Sequence, residues 1–528
     1  MKKTSKLLAL LLACIMIATL AACGGSSDSG TVSGGTTDSS SNGGGGDAAA
    51  PVRDTFNVAV AMDSGTLHPF GVSGAGGFPS VLNTCYEGLF YYLANGTRVW
   101  VLATSIDRIT DIHYTMNIRQ GVTFANGNTM NAEDVMFSME LCLNDPRNAL
   151  NVKGIDFEKT KVTDEYTIDL WYTEFNAAAD PGFASMYVFD KDTYDEQDLA
   201  LNPNGTGPYV ITDYVVNSHV IAEAREGYWG DPPAIKRIHF KVINEEAQRV
   251  NALETGDVDT AAIPLKDAAF VESLGYDVVD LNAGIALVTY FNLTEGTLLG
   301  TKEARYAIAH AIDRQAIVNV VYDGRSKVLD WPISESLIDY EPRFANMHEI
   351  YSIGHNPERA KALAEQSGIV GETLRLITNG SSDYITIAEI IQADLLEIGV
   401  NTEIINYDQA TYFAILMDES NYEIAIFNPA APSVMACDIL AMYLTFIPQG
   451  WHGASRDRYG ELSMAALAET DDKTRGDMIY EYLPLFLEYS PWFGLVEGVS
   501  MRANAKDLRG LEYTLAGGFT FSKVYFAS

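Results

Sequence analysis

Eight histidines, 70 acidic residues and five cysteines are the groups in this 528-residue chain with the clearest capacity for chemistry. The histidines stand singly. His348-Glu349 is followed by the next histidine only at His355, so the two-His spacing that places zinc ligands on one helical face is absent. Gly71-Val72-Ser73-Gly74-Ala75 lacks the last glycine of a nucleophile elbow, and Gly205-Thr206-Gly207 lacks the third glycine of a dinucleotide loop. No Gly-Lys pair is present for a phosphate loop. Asp63 with Asp107 or Glu87 could supply two glycosidase carboxylates, but among 70 acids such pairs arise freely, and solvation is their ordinary role. Cys85, Cys142 and Cys437 are an odd number at unrelated spacings, with neither a disulfide framework nor a paired-cysteine metal signature. No catalytic group, metal or cofactor is expected, and the chain reads as a non-enzyme.

Of the other two cysteines, Cys14 falls in a leader and Cys23 directly follows it. Lys2, Lys3 and Lys6 precede an apolar run from Leu7 to Ala22 broken only by Thr19, the layout of a secretion signal. Leu20-Ala21-Ala22-Cys23 resembles the bacterial lipoprotein box, which implies cleavage after residue 22 and lipidation of Cys23. Residues 24–50 hold nine Gly, seven Ser and no aromatic residue, too little apolar surface to offset the entropy of ordering. Residues 23–53 are therefore expected to form a lipid-anchored tether with a reach of roughly 30 Å.

The folded part needs more than one core, because single cores stop growing at roughly 250–300 residues. With the leader removed, 32 basic residues face 70 acidic ones, a net charge of −38 that disfavours nucleic acid as a partner. The most apolar later stretch, Ile424 to Ile447, is interrupted by Pro429, Pro432 and Asp438, so a buried helix is expected there in place of a membrane span.

Positioning elements follow from periodicity. Thr55–Met62 alternates as a strand and leads into a turn-rich loop, Asp63 to Phe70. Tyr114–Arg119 reads as a strand, followed by a helix begun at Asn131 with Glu133 and Asp134 in its first turn and Val135, Met139 and Cys142 on one face. Residues 205–261 read as a hairpin, a strand at Arg237–Val242 and a helix closed by Gly256. Ala307, Ile308, Ala311 and Ile312 form the apolar face of a helix ended by Gly324. From Asn356 onward, helices at 357–366, 384–398 and 409–419 alternate with strands at 373–378, 401–406 and 422–427. This order argues for a largely parallel sheet in an α/β fold. Helical patterns continue to about Glu488, before a strand at Trp492–Glu497.

Four blocks, in order, resemble the cluster-C substrate-binding proteins of ABC importers, the family 5 group that includes oligopeptide-, dipeptide- and nickel-binding proteins. They are Ile118–Phe124 with Asn131–Val135, Gly205–Tyr209 with Tyr228–Gly230, Glu303–Arg314, and Asn356–Gly368. The usual Asp-Gly of the first block is Asn126-Gly127. The resemblance implies a two-lobed periplasmic-binding-protein-like fold (type II, cluster C) with an inserted subdomain. Lobe I would comprise 54–85, 206–284 and 493–528, the inserted subdomain 86–205, and lobe II 285–492. It implies a monomer that carries a peptide or similar small polar solute to an ABC permease and ATPase complex, held to the membrane by its lipid anchor.

Peptide binders of this family commonly hold the ligand's amino terminus with an aspartate after the strand that here is Tyr422–Phe427. That position falls near Pro432, with Asp438 the nearest carboxylate, so a non-peptide ligand such as a metal chelate or sugar stays open. By position, the candidate ligand-binding residues are Asp63, Ser64, Thr66 and His68, then Asn428, Met435 and Asp438, then Trp451 and His452. A tethered extracellular hydrolase and a receptor that signals without import are the rival functions.

Overall fold

The computed structural model describes residues 53–527 except 73–78, 94, 282–285, 295, 330–332, 334–336, 338, 347–353, 418–420, 429–434, 447–452, 491 and 515–517. The leader and Cys23 lie outside the described residues.

The alternating segment TFNVAV forms strand Thr55–Val60, with Phe56, Val58 and Val60 buried on one face and Ala59 on the other. A strand covered on both faces suits the middle of a sheet. It runs parallel to both neighbours, Arg237–Val242 and Thr260–Ile263. The seven-stranded sheet has the order Tyr276–Leu281, Ser500–Ala505, Thr260–Ile263, Thr55–Val60, Arg237–Val242, His219–Ala224, Tyr209–Val215. The last two strands are the expected hairpin, turned where Asn217 adopts φ 58°. The helix expected to close at Gly256 is Glu246–Glu254.

The second sheet runs Asn401–Asn406, Thr373–Thr378, Ile424–Phe427, Ala286–Phe291, Trp492–Glu497. Its first three strands are parallel, as the helix–strand alternation predicts. The sheet is nevertheless mixed, because Ala286–Phe291 is antiparallel to both its neighbours. The chain enters this sheet after Leu281 of the first and returns to it at Ser500, so the entering and leaving strands pass each other, with Ala286 paired to Glu497. Every residue of both passing strands is buried.

Between Ala103 and Trp171 a third, four-stranded antiparallel sheet forms, its strands ordered Ala103–Thr110, His113–Ile118, Thr167–Trp171, Lys161–Asp164. Helix Ala132–Asn144 packs on it through buried Val135, Met139 and Cys142. Asn131 caps that helix as expected, and Asp134 returns the bond to the Asn131 N–H at 2.9 Å.

One expected helix is two. Lys302–Ala311 stops at Ile312, which is extended, and Arg314–Val321 restarts because the Asp313 carboxylate accepts the Ala316 N–H at 3.0 Å. The stretch predicted to hold a buried helix supplies Ala436–Phe446, with Ala436, Cys437 and Leu440 fully buried. No helix among the described residues is long and apolar enough to cross a membrane.

Candidate functional site

Two of the four sequence blocks that carry the family resemblance, 118–135 and 205–230, meet in space at Glu87. Its carboxylate accepts the Tyr228 hydroxyl at 2.7 Å, the Thr206 hydroxyl at 2.9 Å and the Trp229 indole N–H at 3.0 Å. Arg225 ties the same joint to the first block, donating to the Thr123 hydroxyl and the Phe124 carbonyl, both at 2.6 Å, and to the Thr206 carbonyl at 3.2 Å. Burial pushes the Glu87 carboxyl up to about 7, against the opposing pull of its three donors and Arg225. The glycines of Gly205-Thr206-Gly207 serve close approach: a Cβ on Gly207 would lie 2.6 Å from the Thr84 carbonyl oxygen, and one on Gly205 would overlap the Cys85 carbonyl. These motifs build a joint between the first sheet and residues 84–124.

The other carboxylates paired in the sequence reading have separate partners. Asp63 accepts the Tyr214 hydroxyl at 2.8 Å and the Asn217 N–H at 2.5 Å, fixing the hairpin turn. Asp107 accepts from Ser105 at 2.7 Å and Asn117 at 3.1 Å on the third sheet. Asp63, Asp107 and Glu87 are not brought together.

In the first candidate loop the Thr66 hydroxyl accepts the His68 N–H at 3.1 Å, and Ser64 is half-buried beside them. His68 sits among the rings of Phe70, Phe189 and Tyr194, accepts the Phe70 N–H on Nδ1 at 3.2 Å and has Nε2 3.3 Å from the Tyr194 hydroxyl. Burial holds its pKa below the usual histidine value. In the second region the Asn428 side-chain oxygen is buried with no hydrogen-bond partner among the described residues. Trp451, His452 and the Pro432 position lie outside the described residues.

Met435 and Asp438 face cavities. Met435 lines one of about 400 Å³. One wall of it comes from Tyr92, Arg98, Ala177, Asp180 and Pro181, and the other from residues between Asp339 and Gly476. Asp438 lines an adjoining space of about 40 Å³ with Lys153, whose ammonium pairs with its carboxylate. The two walls also share a backbone bond, from the Ala177 N–H to the Leu467 carbonyl at 2.8 Å.

Sequence reasoning missed Arg98, Asp180 and Lys153, which lie far in the chain from the residues they face. The available signal was the hairpin pattern Phe90-Tyr91-Tyr92 with Arg98-Val99-Trp100. The register sets Arg98 opposite Tyr92 and brings its guanidinium 4.5 Å from the Phe90 ring centroid and 5.1 Å from that of Trp100. Among the described residues no three His, Cys, Asp or Glu side chains gather as a metal-holding group. Cys85, Cys142 and Cys437 are free and buried, and burial pushes the first two up to about 12, which leaves those thiols protonated and unreactive.

Residues 99–446 match the family described as bacterial extracellular solute-binding proteins, family 5 Middle. The nickel-binding periplasmic protein of Escherichia coli is 27% identical over 62% of this chain and 67% of its own length. The glutathione-binding protein GsiB of Salmonella typhimurium is 24% identical over 90% of this chain and 95% of its own. Among solved structures, the ABC transporter substrate-binding protein CtaP of Listeria monocytogenes superposes with a TM-score of 0.80 at 19% identity, over 90% of this chain and all of that one. This likeness establishes the two-lobed periplasmic-binding-protein fold. The chain belongs to the bacterial extracellular solute-binding proteins of family 5.

Proposed function

We propose that this protein captures a small polar solute, a peptide or a molecule of similar size, between its lobes and delivers it to an ABC permease and ATPase complex. It works as a monomer, held outside the cell by lipid on Cys23. The observation that carries this reading is the cavity of about 400 Å³ with one wall from residues 92–181 and the other from residues 339–476. That volume is in the range of small-molecule sites. A ligand there touches both walls only when they are together, so its binding energy shifts the population towards the closed form that a transporter can recognise. The short segment between strands Trp492–Glu497 and Ser500–Ala505, which joins the two large sheets, is suited to act as part of a hinge. Capture and release need no chemistry on the solute, in keeping with a non-enzymatic role.

A thermal-shift screen of dipeptides, oligopeptides, sugars and metal chelates, followed by calorimetry, tests this reading. At least one class should raise the melting temperature with binding near one molecule per chain. Turnover of the bound compound by the purified protein would instead support a hydrolase.

A further inference from the structure

The charged groups around the cavity are unevenly satisfied. Asp339 accepts the backbone N–H groups of Ala436 and Cys437, Glu341 pairs with Arg343 at 2.9 Å, and Asp472 pairs with Arg475. Nearby Asp438, the carboxylate nearest the family's amine-anchoring position, is neutralised by Lys153. Arg98 and Asp180 remain. Neither has an ion-pair partner within 4.0 Å among the described residues.

Arg98 is held in place by neutral groups, without an ion-pair partner among the described residues. Its guanidinium rests on the rings of Phe90, Tyr92 and Trp100, and its Nε and one Nη2 hydrogen go to the Tyr92 hydroxyl, at 3.2 and 2.6 Å. Its other N–H groups have no protein acceptor among the described residues. A guanidinium held in this way presents a planar donor fork matched to a carboxylate. Asp180 accepts the Tyr172 hydroxyl at 3.1 Å. Burial raises its pKa and the field of Arg98 lowers it, so the two charges sense each other without touching.

Resting on the solute-binding reading above, we propose that Arg98 anchors a carboxylate of the bound solute and Asp180 receives its cationic group, which makes the ligand a small zwitterion held first by its anionic end. The anchoring polarity is then the reverse of an aspartate gripping an amino terminus. Lys153, an ammonium supplied by the chain, already occupies Asp438, and displacing it would leave a charge buried and unpaired.

The test uses the mature protein in calorimetry with four probes: a pool of free dipeptides, the same pool as C-terminal carboxamides, the same pool N-acetylated, and uncharged disaccharides. Free dipeptides should bind, the carboxamides should lose binding, and the acetylated pool should be weakened less. Arg98→Met should weaken the free pool roughly 10- to 100-fold, the loss of a charge-assisted hydrogen bond. Arg98→Lys should fall between, and circular dichroism with the unliganded melting temperature checks that both variants fold. Equal binding of carboxamides and free dipeptides, or unchanged affinity in Arg98→Met, overturns the proposal. Binding of disaccharides alone overturns it while leaving the solute-binding reading intact, and a flat response to all four pools overturns it as well, leaving the oligopeptides and metal chelates of the thermal-shift screen to decide the solute-binding reading.

Discussion

Lys153 and Asp438, 285 positions apart in sequence, form an ion pair that joins the two walls of the cavity, with only 8% of the aspartate side chain and 23% of the lysine side chain exposed. Asp438 stands in the first turn of helix Ala436–Phe446, where the helix dipole also favours negative charge. Its carboxylate is thus compensated from both sides.

Removing the two partners should have unequal effects. Lys153→Met leaves a carboxylate buried with no counter-ion and is expected to destabilise the protein by about 1–3 kcal/mol. Asp438→Asn leaves a lysine that can reach water, so its cost should be smaller. The double variant should be less destabilised than the sum of the single effects. Urea unfolding measures all three, and X-ray scattering should show a larger radius of gyration for Lys153→Met as the walls part. A Lys153→Met protein within about 0.5 kcal/mol of wild type, the range of ordinary surface changes, would show that the pair clasps nothing.

Gly207 sits too close to residue 84 for any side chain. Its own N–H donates to the Cys85 carbonyl at 3.0 Å, and a Cβ would lie 2.6 Å from the Thr84 carbonyl oxygen. Both obstacles are backbone, which cannot turn aside as a flexible side chain would. Gly207→Ala should therefore cost about 1–3 kcal/mol or more. Gly354→Ala, where nothing among the described residues lies within 4 Å of an added Cβ, is the control and should stay within about 0.5 kcal/mol. Thermal melts of the two variants side by side decide the matter.

The local parts of this fold were legible because their causes are local. Strands Thr373–Thr378, Asn401–Asn406 and Arg237–Val242 fall where alternation places them, and Asn131 caps where its side chain can reach the next turn. The break at Ile312 was also written in the chain, since Asp313 is a strong cap residue, but an unbroken apolar face at 307–312 hid it. The reversed direction of Ala286–Phe291 was not legible, because it depends on pairing with a strand some 200 residues later. The cavity was legible only at Met435. Arg98, Asp180 and Lys153 come from a region with no motif that points across to residues 339–476, and only tertiary packing places them there.

The lipid anchor can be checked apart from the fold. Cys23 follows Leu20-Ala21-Ala22 and precedes the Gly/Ser run, so acylation would attach the protein by its new amino terminus. One acyl chain gives only marginal membrane binding, at about 0.8 kcal/mol per buried methylene, so stable attachment takes more than one. The wild-type protein expressed in a bacterial host should incorporate labelled palmitate and enter the detergent phase of a Triton X-114 partition. Cys23→Ala should do neither. Equal partition of the two proteins would remove the anchor from the proposal.

Glu87 should give the protein a measurable pH slope. Its carboxyl is raised from 4.5 to about 7 in the folded chain, chiefly by burial. Below about 4.5 both folded and unfolded chains carry the proton, whereas between about 4.5 and 7 only the folded chain keeps it. The stability contributed by this group is therefore complete at low pH and is lost as pH climbs through about 7, at most about 3 kcal/mol in all. Glu87→Gln cannot ionise; its amide oxygen can accept the Trp229 N–H, while the Tyr228 hydroxyl can turn to accept from its NH₂ group. Asp383, pushed up to about 6 by burial, adds a slope of the same sign to both proteins, so the difference between their curves isolates Glu87. Denaturant unfolding from pH 5 to pH 8 should show wild type losing stability relative to Glu87→Gln as pH rises. Parallel curves would mean that the three donors, not burial, govern this carboxylate.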